Sequence, residues 1–595
     1  MERTIKIRKG KFTWYHFVFL LAFICLSCCS LFTCGGGGGG SSDSGGGGGT
    51  IPLPIPTSAP KLFFSDLVTA PKTGWESSGT KGAAVTIWGK NFGSTQGSSY
   101  LTVNGARITE YAEWGVTGTA NGIPRDLERI TFWLNNNCQD GAGTITVTVN
   151  GVVSNTLSFT IRSGNIYFVA PNGNDSNNGR STSTPWQHLQ KFTSLSPGDI
   201  LYAKGGEYTS LNYNGNNAHV MLYNFNGTPG NEVALIAYPQ EIPWIDSHKS
   251  GGNLLVRQSD WSGTTSSYLV FSKFKGINGS PPMFQMIGTY IRIIGNCVQD
   301  RTVYAAAGIF NIDNCEYLYL YGNYVKNSGS DNWAHVVYGK TKSATPGGST
   351  SYVYFAYNEV DGYIDSAGPH GCGGGMIDIA RESDAGAKTS HHIYIHSNLF
   401  KNSGGGVFFT EGGGNDSTAV HHIYVYNNLI INGTACSSDY PYAQFYFHGF
   451  VSDFYVYNNT IYKSGSSTYG VLVTRYQTWP GAMQWPKYKN NIFVTKTDTQ
   501  PYFSLDGGIG DVYSDHDAYY SSPIPSGSRY YITNAIAPGS IGFVDENNND
   551  LRLAVGSPLI DAGASDVSSI VTVDYLGIPR PQGSGYDIGA FEYYK

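Results

Sequence analysis

From about residue 60 onward the chain alternates apolar and polar positions in short runs broken by turn residues, and it does so in two styles. Between 58 and 163 the runs AAVTIWGKNFG, SYLTVNGARIT, RITFWLN, GTITVTVNGVV and NTLSFTIR keep a period of two, as half-buried strands do. Asn104-Gly105 and Asn150-Gly151 separate such runs and predict tight hairpins. A small β-sandwich is expected here. Between 165 and 595 one frame recurs. YIRIIGN, YLYLYGN, YVYFAYN, HIYIHSN, HIYVYNN and DFYVYNN place Asn296, Asn323, Asn358, Asn398, Asn428 and Asn459 at their seventh position, and KYKNN adds Asn491. The spacings are 27, 35, 40, 30, 31 and 32 residues. A strand pattern repeating at 20 to 50 residues signals a solenoid.

The Tyr, Ile and Val content of these strands suits a pleated surface with alternate residues facing one interior. Asn tolerates the left-handed conformation of a tight turn. Stacked from coil to coil, its side chains would hydrogen-bond along the axis and satisfy buried backbone groups. The Asn rows are therefore read as structural. A second set of strands follows: AHVVYGK, MIDIAR, GVFFTE, QFYFH and GVLVTR. The loops entering them vary most in length, the longest at 359–375, and variable loops on a rigid scaffold are where binding usually sits.

Composition agrees with many short strands. Of 595 residues, 77 are Gly and 43 are Tyr, and only 13% are charged, which disfavours a helical protein; 14% are aromatic, which disfavours disorder. The net charge is -6. The first 33 residues hold five basic residues and one acid, so the remainder has 37 − 5 = 32 basic and 43 − 1 = 42 acidic residues, about −10. That balance lacks the electrostatic footprint of a nucleic-acid binder. Five Cys beyond the first segment, Cys138, Cys297, Cys315, Cys372 and Cys436, show neither metal-ligand spacing nor a disulfide framework.

Residues 1–34 read as targeting: a basic start, an apolar run from Phe17 to Leu26 too short to span a membrane, then Cys34 before a Gly tract. This arrangement resembles a bacterial lipoprotein signal, with Cys34 the expected lipidated residue and Cys28 and Cys29 as rivals; an ordinary cleaved signal is the alternative. Residues 35–57 form a Gly- and Pro-rich linker. The expected location is the outer membrane or cell surface, with attachment through lipid only.

The strings VTIWGKNFG, LTVNG and ITVTVNGVVSNTLSFTI resemble the IPT/TIG immunoglobulin-like domain, which implies a spacer or interaction module for 58–163. The segment IYFVAPNGNDSNNGRSTSTPWQHLQKFTSLSPGDILYAKGGEYTS resembles the opening of right-handed parallel β-helix proteins of the pectate-lyase-like superfamily. The matching residues include Val169, Asn172, Gly173, Asp175, Gly179, Pro185, Trp186 and Asp199. A capping helix at 186–195 is expected. DYLGIPRPQGSGYDIGAFEYYK resembles an ending common among exported β-helix proteins. The expected class is thus all-β, a right-handed parallel β-helix over 165–595 preceded by a small Ig-like sandwich.

The resemblance implies that the second strand set and its loops form a substrate groove with one outward residue per coil: Lys340, Arg381, Glu411, His448 and Arg475. Asp378 also points outward on this frame. Charge density rises nearby, with Glu359, Asp361, Asp365, His370, Asp378, Arg381, Glu382 and Asp384 in one stretch. Hard oxygen ligands in a loop suit Ca2+, and Asp361, Asp365 and Asp378 are the candidate metal ligands. Elimination from a uronate polysaccharide needs its carboxylate neutralised, a base for the neighbouring C–H and a donor for the leaving oxygen. Lys340, Arg381 and Glu411 are the candidate catalytic residues, and His370, His448 and Arg475 the candidate substrate-binding ones. Asp378 with Glu411 would instead serve a hydrolase. The pairs His391-His392 and His421-His422 recur in register and read as stacked positions rather than metal ligands. The function expected is binding and cleavage of an acidic polysaccharide by a monomeric lyase. The alternatives are a non-catalytic glycan-binding or adhesion β-helix, and a glycoside hydrolase or uronate epimerase.

Overall fold

The computed structural model describes residues 59–594 apart from 210–217, 247–253, 259–262, 279–281, 301–306, 328–333, 343–344, 346, 363–375, 382–384, 403–406, 413–418, 433–444, 450, 464–473, 478–485, 496–510 and 522. The chain divides into Met1–Leu53 and Pro54–Lys595; the first unit, with Cys34, lies outside the described residues. Among the described residues no helix is long and apolar enough to cross a membrane.

The second unit starts with two small sheets. One has the order Lys61–Ser65, Lys81–Lys90, Glu128–Asn135, Tyr111–Val116; the other runs Thr69–Pro71, Leu157–Arg162, Gly141–Val149, Tyr100–Val103, Ala106–Arg107. All pairings are antiparallel except Thr69–Pro71 with Leu157–Arg162. Both Asn-Gly turns are left-handed at each residue, with φ of 48° and 80° at Asn104-Gly105 and 49° and 83° at Asn150-Gly151. That geometry matches strand twist and holds the hairpins in register.

From Ile166 onward the chain winds into a parallel β-helix of three sheets with 13, 11 and 9 strands among the described residues. Each central coil contributes one strand to each sheet. Leu269, Ile291, Leu318, Val353, Ile393, Ile423 and Phe454 occupy successive coils at one register of the first sheet, all buried in one continuous core. The expected capping helix is a shorter 3₁₀ segment, Leu189–Ser194. Three residues per turn put Leu189, Phe192 and Leu195 on one buried face. Asp175 braces its start, accepting from the backbone N–H groups of Gln187 and His188 at 2.8 and 3.1 Å.

The Asn residues form one ladder at the turn between the first and second sheets. In every coil the backbone N–H and Nδ2 of one Asn both donate to Oδ1 of the next, from Asn296 to Asn491, at 2.8–3.1 Å. The left-handed conformation falls on the residue before each ladder Asn: Gly295, Gly322, Tyr357, Ser397, Asn427, Asn458 and Asn490. The Asn side chain is therefore selected for its paired donor and acceptor rather than for its backbone tolerance. Asp517 ends the ladder, accepting from the N–H and Nδ2 of Asn491 at 2.6 and 2.9 Å and from the Ser514 hydroxyl at 2.6 Å.

The sandwich is no free stalk. Outward residues of the first sheet in the early coils, Tyr202, Ala234, Ile236 and Val270, share a core with Ala84, Phe132 and Trp133 of the sandwich. The Tyr202 hydroxyl accepts from the Ala84 N–H at 2.8 Å and donates to its carbonyl at 3.0 Å. Further along the axis Lys273 meets Asp66 at 3.6 Å, Arg292 donates to the Ser65 carbonyl at 2.7 Å, and Phe63 stacks on Tyr357 at 4.8 Å. At the other end the C-terminal segment covers the second sheet. Leu559, Ile588 and Phe591 pack on Leu399, Leu429 and Ile492, and a buried Arg580–Glu592 pair at 2.8 Å fastens the segment on itself.

Candidate functional site

The third sheet includes the strands Ala307–Asp313, Ala334–Thr341, Ile377–Arg381, Phe408–Gly412, Phe445–Gly449 and Thr474–Gln477. Phe310, Ile312, Val337, Ile377 and Ile379 face the core. Their neighbours Asn311, Asp313, Tyr338, Lys340 and Asp378 stand on the opposite face, yet none is more than 9% exposed. Burying so much polar and charged surface is costly unless each group meets partners, and in a charge-poor chain it singles this face out.

Lys340 lies with its Nζ 4.1 Å above the Tyr338 ring. His335 Nε2 is 3.4 Å from Asp378 Oδ2, and its ring lies 4.9 Å from that of Tyr338. A β-bulge makes this grouping: the N–H groups of both Val336 and Val337 donate to the Met376 carbonyl, at 2.8 and 2.9 Å. Two residues opposite one reverse the alternation. His335 thereby joins Tyr338 and Lys340 on one face, whereas a strict period of two places it inward with Val337. His335 and Asp313 escape a sequence reading for different reasons. The bulge has no signature in AHVVYGK, and the coil of Asp313 does not share the motif of the later ones.

The expected row of one residue per coil is only partly assembled. Asp313, Lys340, Ala380, Glu411, His448 and Gln477 share a register. Arg475 stands in the other outward register, with Asn311, Tyr338, Asp378, Phe409 and Tyr446. Arg381 falls one position out, opposite Thr341 and Gly412. Its Nε donates to the Lys388 carbonyl at 2.9 Å and a terminal nitrogen to the Gly386 carbonyl at 2.5 Å. Arg381 thus braces the turn after its own strand, one register position away from Lys340. The side chains of Glu411, His448 and Arg475 lie outside the described residues, as do His370 and Asp365 entirely.

Asp361 is on the second sheet, in Glu359–Asp361. Its carboxylate is 3.1 Å from Lys401 Nζ and accepts from Asn402 Nδ2 at 2.8 Å. Asp378 is on the third sheet with His335. The expected trio Asp361, Asp365 and Asp378 is therefore split between two sheets at least at its first and last members. Among the described residues no group of three His, Cys, Asp or Glu side chains is placed to hold a metal ion. On the first sheet the His pairs stack ring on ring, His391 on His421 at 5.1 Å and His392 on His422 at 4.8 Å. Burial, aided by His421, His392 and His422, pushes His391 down to about 4, so it is neutral at ordinary pH.

No protein-family model matches the chain. Pectate lyase L of Dickeya dadantii (strain 3937) is 33% identical over 84 residues, 14% of this chain and 20% of the relative. Pectate lyase L of Dickeya chrysanthemi is 32% identical over 84 residues, with the same shares. The match thus spans about a fifth of the length of these curated relatives. Among solved structures, pectate lyase Pel9A is similar at 15% identity, covering 73% of this chain and 97% of that one with a TM-score of 0.33. A family 28 exopolygalacturonase of Yersinia enterocolitica is similar at 10% identity, covering 81% and 99%, also with a TM-score of 0.33.

Proposed function

We propose that this β-helix binds an acidic polysaccharide on the outer face of its third sheet and cleaves it by β-elimination. One observation carries the reading: a buried cluster of Lys340, Tyr338, His335 and Asp378 on the outer, non-core face of that sheet. The partial likeness to pectate lyase L supports the same reaction class. In this reading Lys340 takes the proton on the carbon next to the uronate carboxylate. The electron pair forms the C=C bond as the glycosidic C–O bond breaks, and the leaving oxygen collects a proton. Tyr338, beneath the Lys340 amine, which must be unprotonated to act as the base, positions it, and the Asp378–His335 pair holds Tyr338 in place. A hydrolase built on Asp378 and Glu411 is disfavoured because Asp378 is engaged with His335.

Calcium stays in the proposal only as a helper that Asp361, Asp365 and Asp378 are the candidates to hold, with Asp365 outside the described residues, and no step above runs through it. Dialysis against EDTA followed by Ca2+ return tests it: lost and restored activity supports the helper, unchanged activity removes it. Export as a lipoprotein through Cys34 is likewise proposed. Cys34→Ser is expected to move the protein from the detergent phase to the aqueous phase.

The reaction is tested by ultraviolet absorbance of unsaturated uronate, using polygalacturonate and alginate. The wild type is expected to generate the chromophore and Lys340→Ala to abolish it while retaining binding. Full activity in Lys340→Ala removes Lys340 from the reaction. Binding without turnover in the wild type favours the adhesion reading.

A further inference from the structure

The first sheet carries a second row of unusual residues, on its outward side. Tyr268, Tyr290, Tyr317, Tyr352, His392 and His422 recur once per coil, each left-handed with φ of 53–56°. Bulky side chains rarely adopt that conformation. At the far end of the second sheet the same chain solves the same problem with Asn278, Asp300, Asn327, Gly362, Asn402 and Asn432. These small residues are the usual choice. Six aromatic side chains in strained positions where Asn would fold more easily mark a row kept for what its side chains present.

The rings stack face to face, Tyr268 on Tyr290 and Tyr290 on Tyr317 at 4.6 Å, Tyr317 on Tyr352 at 4.7 Å, and on to His392 at 4.9 Å. Each ring face is covered by its neighbour, so the row offers solvent a comb of ring edges and phenol hydroxyls with the repeat of the coils. Among the described residues, no hydrogen bond joins those of Tyr268, Tyr290, Tyr317 or Tyr352 to another side chain or carbonyl. At its start the comb opens into a groove of about 370 Å³ between the helix and the sandwich. Tyr268 and Tyr290 form one wall, Phe63 and Ser158 the other, with Arg292 and Glu232 among the lining residues.

We propose that this comb and groove form a second glycan-binding track, on a different face from the third-sheet site, taking one polysaccharide chain along the helix axis. A linear polymer of hydroxyl-bearing units matches a linear row of hydroxyls. The apolar and charged groove end suits a sugar ring with one polar edge, since binding sites combine apolar walls with a few placed polar groups. A peptide strand finds no unpaired backbone here, because the sheet is hydrogen-bonded on both sides. A nucleic acid meets an acidic protein. The inference rests on the proposed function only for the choice of polymer.

Affinity electrophoresis through gels containing polygalacturonate, alginate or xylan tests the track with the full chain. Tyr290→Asn with Tyr317→Asn suits the left-handed backbone, so this variant is expected to melt no lower than wild type. It should nevertheless lose at least fivefold in gel affinity, while its rate on short oligosaccharides is unchanged. Undiminished retardation of that variant, or no retardation of the wild type in any of the three gels, overturns the track. Lys340→Ala separates the two proposals. Retardation that survives it and is lost in the Tyr variant sustains the track even if no elimination is ever detected.

Discussion

The Asn ladder and the outer face of the third sheet are built from the same coils and obey opposite rules. Along the ladder the side chain is Asn seven times over, each buried and each bonded to the next. Along one register of the third sheet Asp313, Lys340, Ala380, Glu411, His448 and Gln477 follow one another. A stacked fold repeats a residue where each coil must satisfy the next. It departs from repetition where a coil is released from that duty. In this molecule the Asn row is structure, and the unrepeated polar row is where the proposed chemistry has room.

The largest expected effect tests the unrepeated row. Lys340→Ala should lower elimination by at least the roughly 10²–10⁴-fold associated with a positioned base, with the urea midpoint little changed. A variant that loses stability and keeps its turnover would invert the comparison and make Lys340 a structural residue.

The repeated row should respond the other way. Asn428→Leu strands the N–H and Nδ2 of Asn398, which donate to Asn428 Oδ1 at 3.1 and 3.0 Å. Each stranded buried group costs about 1–3 kcal/mol, and urea unfolding measures the sum. An unchanged midpoint would mean that the ladder bonds contribute nothing net.

The ladder's last rung differs from the others in one way. Asp517 has no further Asn to donate to, so a carboxylate suffices, but burial raises its pKa from 3.8 to about 7. The folded protein therefore holds a proton that the unfolded chain releases earlier. Stability from this group is complete below about pH 4 and is lost as pH rises toward about 7. Asp517→Asn should flatten that slope and raise the unfolding free energy at pH 8, by up to about 4 kcal/mol. A slope that survives the substitution assigns it to another group.

The same contrast decides what was legible in the sequence. The ladder and the coils that carry it follow from Asn296 to Asn491, because a repeat announces itself. The aromatic left-handed row was hidden inside strands that looked regular, since a positive φ at Tyr317 leaves no mark in YLYLYGN. The candidate site was read in part. Lys340 and Asp378 were found on the outward side, but the bulge at Val336-Val337 concealed His335. One position of register in MIDIAR moved Arg381 from a row of site residues to a brace for its own turn.

The smallest effect concerns Asp361, and it asks whether charge alone marks a site. Asp361 lies in a charge-rich run of the sequence, yet it sits at the end of a second-sheet strand against Lys401 and Asn402. Lys401 is held mainly from the other side, by buried Glu359 at 2.7 Å. Burial works against the Lys401 ammonium, and the bonds to Glu359 and Asp361 outweigh it and raise its pKa. With Glu359 in place, Asp361→Asn should cost less than about 1 kcal/mol, as partly exposed pairs do. Elimination activity should stay within twofold of wild type. A large loss of activity that added Ca2+ restores would place Asp361 among metal ligands and bring the second sheet into the site; an unchanged rate leaves it a strand-end partner of Lys401 and Asn402.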